Sequence, residues 1–449
     1  MKKYQKCTIV LLLCLAIVIT SNKISSVNNP IISSESACDP HIHIFNNKAY
    51  MYSSHDYSST STGYQMRDWQ LWSSSDLVTW NKEAVLRPQD TYVSSSNSCW
   101  ATDGAERNGK YYWYFSNHNI NTGVAVSTNG PSGPYIDALK APLLAQDLTP
   151  TEEYDPTVFI DDDNTPYIIF GYKAGYYIAK LNDDMISLAE TPRLITIDNG
   201  WIDDANFIHK HNGIYYLNTH GAATRSYNRY ATATNIYGPY TGRYLGPASS
   251  YPDGYLDHLT FFSWKNQNYY VYGSTTKRAD GSTNYYYRNT KIGVCNYKDN
   301  GDISLDAFTA SSVLGVGQFD AGWDPIQAEW YFEASDDITK GQNENGFEIK
   351  NLSNNSYLNY PNVKNMAPNT SISFYASSAN STAGTIEVHQ DSTTGPLLGS
   401  CAVPKTGSWT TYQTVICNLN NSAGTKNLFF VFKGIGTKLL RLDWFKFEK

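Results

Sequence analysis

The sequence predicts an all-β protein, a five-bladed β-propeller followed by a β-sandwich domain of jelly-roll type. Three observations predict it. A unit of strand, tight polar turn, strand, turn and strand recurs five times at intervals of about 50 residues, the signature of sheets that bury their faces on one another. The 449 residues include 36 Tyr and 11 Trp while only 17% are charged, a composition suited to many short strands and ring-lined surfaces. Beyond Asp320 the repeat stops, and short alternating strands separated by turns read as a sandwich.

Met1–Ser21 has the form of a secretory signal. Lys2, Lys3 and Lys6 precede the apolar run Thr8–Thr20, which is shorter than the roughly 20 residues of a membrane span. Small residues between Ser21 and Ser36 suit cleavage, so the expected division is a leader at 1–26, a propeller at 30–321 and a sandwich at 325–449. The formal net charge of −7 excludes a nucleic-acid partner.

The first repeat is the hairpin His41–Ser54, turning at Asn46-Asn47, with Asp68–Ser73 as its third strand. The second is Gly104–Ser116, turning at Asn108-Gly109, then Gly123–Ser127. The third comprises Thr157–Ile160, the acidic turn Asp161–Pro166, Tyr167–Gly171 and Tyr176–Leu181. The fourth, Asn206–Thr219, turns at Asn212-Gly213 and continues with Arg229–Thr234. The fifth is Leu259–Gly273, turning near Asn266–Asn268, then Lys291–Tyr297. In the tail, strands are expected at Ser371–Ala376, Gly384–His389, Trp409–Val415, Leu428–Phe432 and Leu442–Phe447.

Of seven cysteines, Cys7 and Cys14 fall in the leader. Cys401 and Cys417 flank a predicted hairpin and are the expected disulfide of an oxidising compartment. Cys38 and Cys99 each precede a repeat and form a second candidate pair, which would leave Cys295 single. No CxxC or His-rich cluster suggests zinc.

A polar residue stands just upstream of each first strand: Asp39, Asp103 (with Trp100), Asp155, Asp204 and His258. The first strand of a propeller blade is innermost, so these five positions are expected to converge at one end of the axis.

At Asp39-Pro40, Ser54-His55-Asp56, Tyr154-Asp155-Pro156-Thr157 and Lys210–Leu217 the chain resembles glycoside hydrolase family 43, over roughly Pro30 to Ala321. Ile326–Glu329, Gly407-Ser408-Trp409 and Asp443-Trp444-Phe445 resemble a family 6 carbohydrate-binding module. The first resemblance implies inverting hydrolysis of arabinose- and xylose-containing polysaccharides. One carboxylate activates water, and a carboxylic acid ~6.5–9.5 Å away protonates the leaving oxygen. By motif position Asp39 is the base and Asp155 the group that raises the acid's pKa, with His258 near an axial ion or water.

The acid departs from the family's pattern. Where a Glu is expected, eight residues before Asn212, the chain has Asp204, one methylene shorter. Three readings stand: Asp204 works as acid, neighbouring Asp203 contributes, or hydrolysis is lost and sugar binding kept. A galactanase acting from chain ends is the rival within enzymes.

For the sugar, His55 and Asp56 are rim candidates, Trp69, Trp100 and Trp201 stacking candidates, and Arg225 and Arg229 hydroxyl-binding candidates. The turn Asp161–Asp163 lacks an EF-hand pattern and reads as a solvated hairpin. The second resemblance implies a structural calcium on Gln327, Glu329 and Asp443, and an aromatic clamp of Trp409 with Phe347 or Tyr357. Such modules often carry Asn where Arg441 stands. The expected partner is plant-type polysaccharide, bound by a monomer with no membrane attachment after leader removal.

Overall fold

The computed structural model describes residues 29–198, 202–219, 227–251, 253, 256–381 and 384–448. Five sheets form the propeller. Blade one comprises Cys38–Phe45, Lys48–Asp56, Met66–Ser74 and Asn81–Leu86; blade two comprises Cys99–Arg107, Lys110–Asn117, Asn121–Ser127 and Ile136–Asp137. Blade three runs Thr157–Ile160, Pro166–Tyr172, Gly175–Lys180 and Arg193–Leu194. Blade four runs Phe207–His211, Ile214–Thr219, Tyr227–Ala233 and Tyr240–Pro247, and the short strand Ile197–Asp198 adds to its edge in parallel. Blade five runs Asp257–Trp264, Gln267–Lys277, Thr283–Tyr297 and Ile303–Leu305.

The first strands of the five blades touch in cyclic order, one against two, two against three, and so on until five meets one. That closed ring is the propeller axis. Asn-Gly and Asn-Asn chemistry sets the hairpins as the sequence predicts. Asn46 and Asn47 have φ of 50° and 57°, Asn108 and Gly109 of 54° and 74°, and Asn212 and Gly213 of 47° and 79°, all in the left-handed region. The fifth hairpin turns one residue earlier than expected, at Lys265-Asn266. Apolar clusters fill the joints between blades, and Gly104 is obligatory there because a Cβ would enter the Tyr52 ring of blade one. The ring is fastened at its seam by the segment before blade one: Asn29 Nδ2 donates to Ile292 O at 2.8 Å and Ile292 N to Asn29 Oδ1 at 2.9 Å.

Two further sheets make the C-terminal sandwich. One contains Tyr357–Met366, Gly424–Lys433, Gly384–Gln390 and Leu397–Val403; the other contains Thr339–Asn343, Gly346–Lys350, Arg441–Phe447, Ser371–Ser377 and Gln413–Asn418. Their inner faces share one core around Phe374, Phe430 and Phe445. Trp409 precedes the strand expected to contain it. Cys401 and Cys417 are bonded, as expected. They join strands of opposite sheets rather than one hairpin, because residues 404–412 cross from sheet to sheet. Cys38, Cys99 and Cys295 remain buried thiols, so the second candidate pair does not form.

The domains meet at the first hairpin of blade five. Gln267 Nε2 donates to the carbonyls of Glu329 and Tyr331 at 2.8 and 2.6 Å, and Lys340 Nζ donates to Asn296 Oδ1 at 2.7 Å. No helix among the described residues is long and apolar enough to cross a membrane.

Candidate active site

A pocket of about 120 Å³ opens where the inner strands begin. Asp39, Asp155, Asp204, Asp257, His258 and Arg288 supply its charge, and Tyr64, Trp100 and Tyr154 its rings. The backbone explains why these side chains converge. Asp39, Asp155 and His258 adopt φ of 51°, 52° and 43°. In blades one and five the strand register skips across this residue, between Cys38 and His41 and between Asp257 and Thr260. Each bulge tips a side chain off the sheet and onto the axis, at some cost in backbone strain. In blade four the left-handed residue is Ala205, and Asp204 comes one position before it.

His258 Nε2 stands 3.7 Å from both Asp39 Oδ1 and Asp155 Oδ2, tying blades five, one and three together. Asp155 accepts from Ala205 N at 2.8 Å, and Asn206 Nδ2 donates to its carbonyl at 2.8 Å, so the backbone beside Asp204 is pinned to blade three. Tyr176 donates to the Asp204 carbonyl at 3.0 Å. Burial, reinforced by the charges of Asp155 and Asp204, holds the Tyr154 phenol protonated far above its ordinary value. One ring therefore feels both carboxylates.

The sequence did not single out Arg288. It is 5% exposed and donates to Asp39 Oδ1 at 2.6 Å, Asp39 Oδ2 at 3.2 Å, Asp257 Oδ2 at 2.9 Å and Asp56 Oδ2 at 3.1 Å. A lone cation in the aromatic run Tyr285-Tyr286-Tyr287 was the available signal. Asp257, beside His258, was missed as well, as were Tyr64 on the loop between the second and third strands of blade one and Met66 at the start of that third strand.

Several predicted sugar contacts are elsewhere. Asp56 is fully buried and serves Arg288, accepting from its backbone N at 2.8 Å as well as its side chain. His55 faces Asp68 at 2.9 Å, outside the pocket lining. Trp69 is fully buried against Phe115 and donates to the Trp100 carbonyl at 2.8 Å; it is core. Arg229 lies over the Tyr244 ring at 5.0 Å and lines a separate small cavity with Asn218 and Asn228. Arg225 and Trp201 lie outside the described residues.

Asp103 is corrected too. It sits inside the second blade's first strand, two residues past the register skip at Ala101, and is fully buried. Its Oδ1 lies 3.0 Å from His41 Nδ1 and 2.6 Å from His43 Nε2, and its Oδ2 accepts from Val158 N at 2.7 Å. Burial opposes its charge, yet the two histidines hold its carboxyl well below the usual range. It braces the axis under the pocket. The turn at Asp161 is likewise structural: Lys210 Nζ reaches its Oδ1 at 2.7 Å from blade four.

In the tail, Gln327 pairs with Trp444, next to Asp443. Glu329 Oε2 and Asp443 Oδ1 are buried without a hydrogen-bond partner among the described residues. Burial, reinforced by the charges of Asp306 and Asp443, raises the Glu329 carboxyl above its ordinary value. Two buried acid oxygens lacking partners are donors of the kind a hard cation takes, although no group of three or more His, Cys, Asp or Glu among the described residues is placed to hold a metal. The clamp is different from expectation. Phe347 is 8% exposed on the strand carrying core Ile349, and Tyr357 belongs to the opposite sheet. Trp409 faces Arg441 instead, 5.6 Å from its guanidinium.

Clustered carboxylates on a propeller axis, one of them gripped by a buried guanidinium, define a glycosidase with an appended sandwich domain. Comparison with known proteins agrees. The model of glycosyl hydrolases family 43 matches residues 27–303, and that of carbohydrate binding module family 6 matches 327–449. The chain belongs to glycosyl hydrolases family 43. It is 28% identical to an arabinoxylan arabinofuranohydrolase of Paenibacillus polymyxa, over 95% of this chain and 75% of that one. It is 27% identical to an arabinoxylan arabinofuranohydrolase of Bacillus subtilis, over 94% and 92%. The crystal structure of a family 43 arabinoxylan arabinofuranohydrolase from Bacillus subtilis in complex with cellotetraose shares the fold, with a TM-score of 0.55 over 95% of this chain and 98% of that one at 24% identity.

Proposed function

We propose that the protein is a secreted glycosidase releasing α-L-arabinofuranosyl or β-D-xylosyl units from arabinoxylan-type polysaccharide with inversion. The observation that carries this reading is the placing of Asp39, Asp155 and Asp204 in one pocket, each on a different blade. The relatives' names point to arabinoxylan.

Asp39 is the base. The fork of Arg288 fixes its plane, so that it takes a proton from water as the water attacks the anomeric carbon. Asp204 is the acid and protonates the departing oxygen. Asp155 keeps that proton on Asp204 by like-charge repulsion, and its bond to Ala205 N sets the acid's position. His258, between Asp39 and Asp155, orients both. The tail holds the enzyme on polysaccharide, with calcium on Gln327, Glu329 and Asp443 stiffening it. The leader 1–26 lies outside the described residues and directs export.

The test compares wild type, Asp39→Asn, Asp204→Asn and Asp204→Glu on aryl α-L-arabinofuranoside and aryl β-D-xyloside, with the first-formed anomer read by proton NMR. Expected are an inverted product, loss of turnover in Asp39→Asn, and slowing in Asp204→Asn that is greatest with poor leaving groups. A silent wild type whose Asp204→Glu variant turns over would make it a glycan-binding protein that lost its acid. A retained anomer would overturn the mechanism.

A further inference from the structure

The C-terminal sandwich carries a second cluster of charge and rings. The Glu348 side chain is 1% exposed, and Arg441 Nη1 donates to its Oε1 at 2.9 Å. Lys350 Nζ lies 3.5 Å from the same oxygen, and the Tyr412 hydroxyl donates to Oε2. The Arg441 guanidinium lies over the Trp409 ring, whose backbone is fixed by Ser377 Oγ donating to its carbonyl at 2.8 Å.

Two cations thus surround one carboxylate, leaving a surplus positive charge. The carboxylate is buried, while Arg441 and Lys350 are 26% and 25% exposed. No second acceptor among the described residues engages the guanidinium. A neutral sugar would partly desolvate these cations and return no charge. A sugar carboxylate neutralises the surplus and suits the planar fork that Glu348 holds by one end. The Trp409 ring beside it offers a face to the apolar side of the same sugar.

We propose that Arg441, Lys350 and Trp409 form a binding site for a uronic acid residue of an acidic plant-type polysaccharide. The inference rests on the reading of the tail as a glycan-binding module and adds its ligand class. Glu348, buried beneath the two cations, holds one end of the fork and competes with the ligand for its charge.

The test is affinity electrophoresis of the full protein in gels containing neutral arabinoxylan, glucuronoxylan or polygalacturonate, at low salt and at about 0.5 M salt, where surface attraction is screened. Wild type is expected to bind at least one acidic polymer about tenfold more tightly than the neutral one, with the preference lost at high salt. Which acidic polymer is retained assigns the uronic acid. Arg441→Lys keeps the charge but not the fork and is expected to weaken acidic binding about tenfold; Glu348→Gln, which keeps Arg441 and removes the competing charge, is expected to bind at least as tightly. The salt dependence of wild type needs no variant to fold. Equal, salt-insensitive binding to neutral arabinoxylan would overturn the proposal and leave the tail a glycan module. Binding to none of the three polymers would overturn both.

Discussion

Arg288 grips both oxygens of Asp39, through Nη1 at 2.6 Å and Nη2 at 3.2 Å, while Nη1 also reaches Asp257 and Nε reaches Asp56. One buried cation therefore binds three acids drawn from blades one and five. Arg288 fixes the orientation of Asp39, the proposed base, and closes the ring at its seam.

Arg288→Lys is expected to keep the charge and lose the fork. If Asp39 is the base, an ångström-scale shift of its carboxylate is expected to lower kcat on the order of 10²-fold. Arg288→Met leaves three acids around an apolar side chain and is expected to cost at least ~3 kcal/mol of stability. Steady-state kinetics of the first and a denaturant titration of the second check this. Unchanged kcat in Arg288→Lys would mean that Asp39 needs charge alone.

Tyr64 lies on the wall beside Arg288, with the guanidinium 5.0 Å from its ring and Tyr286 edge-on at 5.0 Å. Its loop is tied to blade five by Asn284 donating to Ser59 O at 2.8 Å and Arg278 donating to Ser61 O at 3.0 Å. Tyr64→Ala is expected to raise KM roughly tenfold with kcat little changed, because a stacking wall binds substrate and transition state alike. Initial rates on an aryl glycoside decide it; a loss confined to kcat would place Tyr64 in the chemistry.

Asp103 and its two histidines predict an acid-sensitive propeller. The folded-state carboxyl is depressed below its unfolded value, so its contribution is fully present above about pH 4 and is lost as pH falls below that through the folded value. Asp103→Asn is expected to cost about 3 kcal/mol at neutral pH and progressively less as the pH is lowered below about 4. Unfolding of both forms, followed at neutral pH and near pH 3, checks this. A pH-independent difference would show that the hydrogen bond to Val158 N matters and the charge does not.

Local chemistry was legible in the sequence, and distant partnerships were not. Asp39-Pro40 and Asp155-Pro156 could be found because the left-handed backbone that aims each of them is set by adjacent residues. The Asn turns marked three hairpins for the same reason. Asp56 was misplaced because its partner Arg288 lies 232 residues away in the last blade. Asp103 was counted with the rim because its phase in the repeat is close; two residues along a strand carry it past the bulge and down the axis. Trp69 illustrates a limit of composition, since a ring on a strand packs between blades as readily as it meets a sugar. In the tail the cysteine pair was legible, but the crossing of residues 404–412 that joins two sheets through it was not.

The calcium proposed for the tail gives the last prediction. Glu329 and Asp443 each present a buried oxygen without a hydrogen-bond partner among the described residues, and Gln327 lies on the strand paired beside Asp443. Leaving such oxygens empty costs about 1–3 kcal/mol each, so an ion bound there stabilises the sandwich over its unfolded chain. At calcium a hundredfold above its Kd the gain is about 2.7 kcal/mol. In a domain of this size that raises the melting temperature by roughly 10 °C. Chelation is expected to lower the sandwich transition by that amount in calorimetry, and calcium rather than magnesium to restore it, because magnesium sheds its water reluctantly. Asp443→Asn is expected to abolish the calcium response while leaving the propeller transition in place. The domains share a seam through the Glu329 carbonyl and Gln267, so loss of the ion is also expected to loosen their contact. Faster proteolysis at the junction near Asp324 would report that loosening. A melting profile indifferent to chelator and to Asp443→Asn would rule out the metal and leave the two buried oxygens to ordered water.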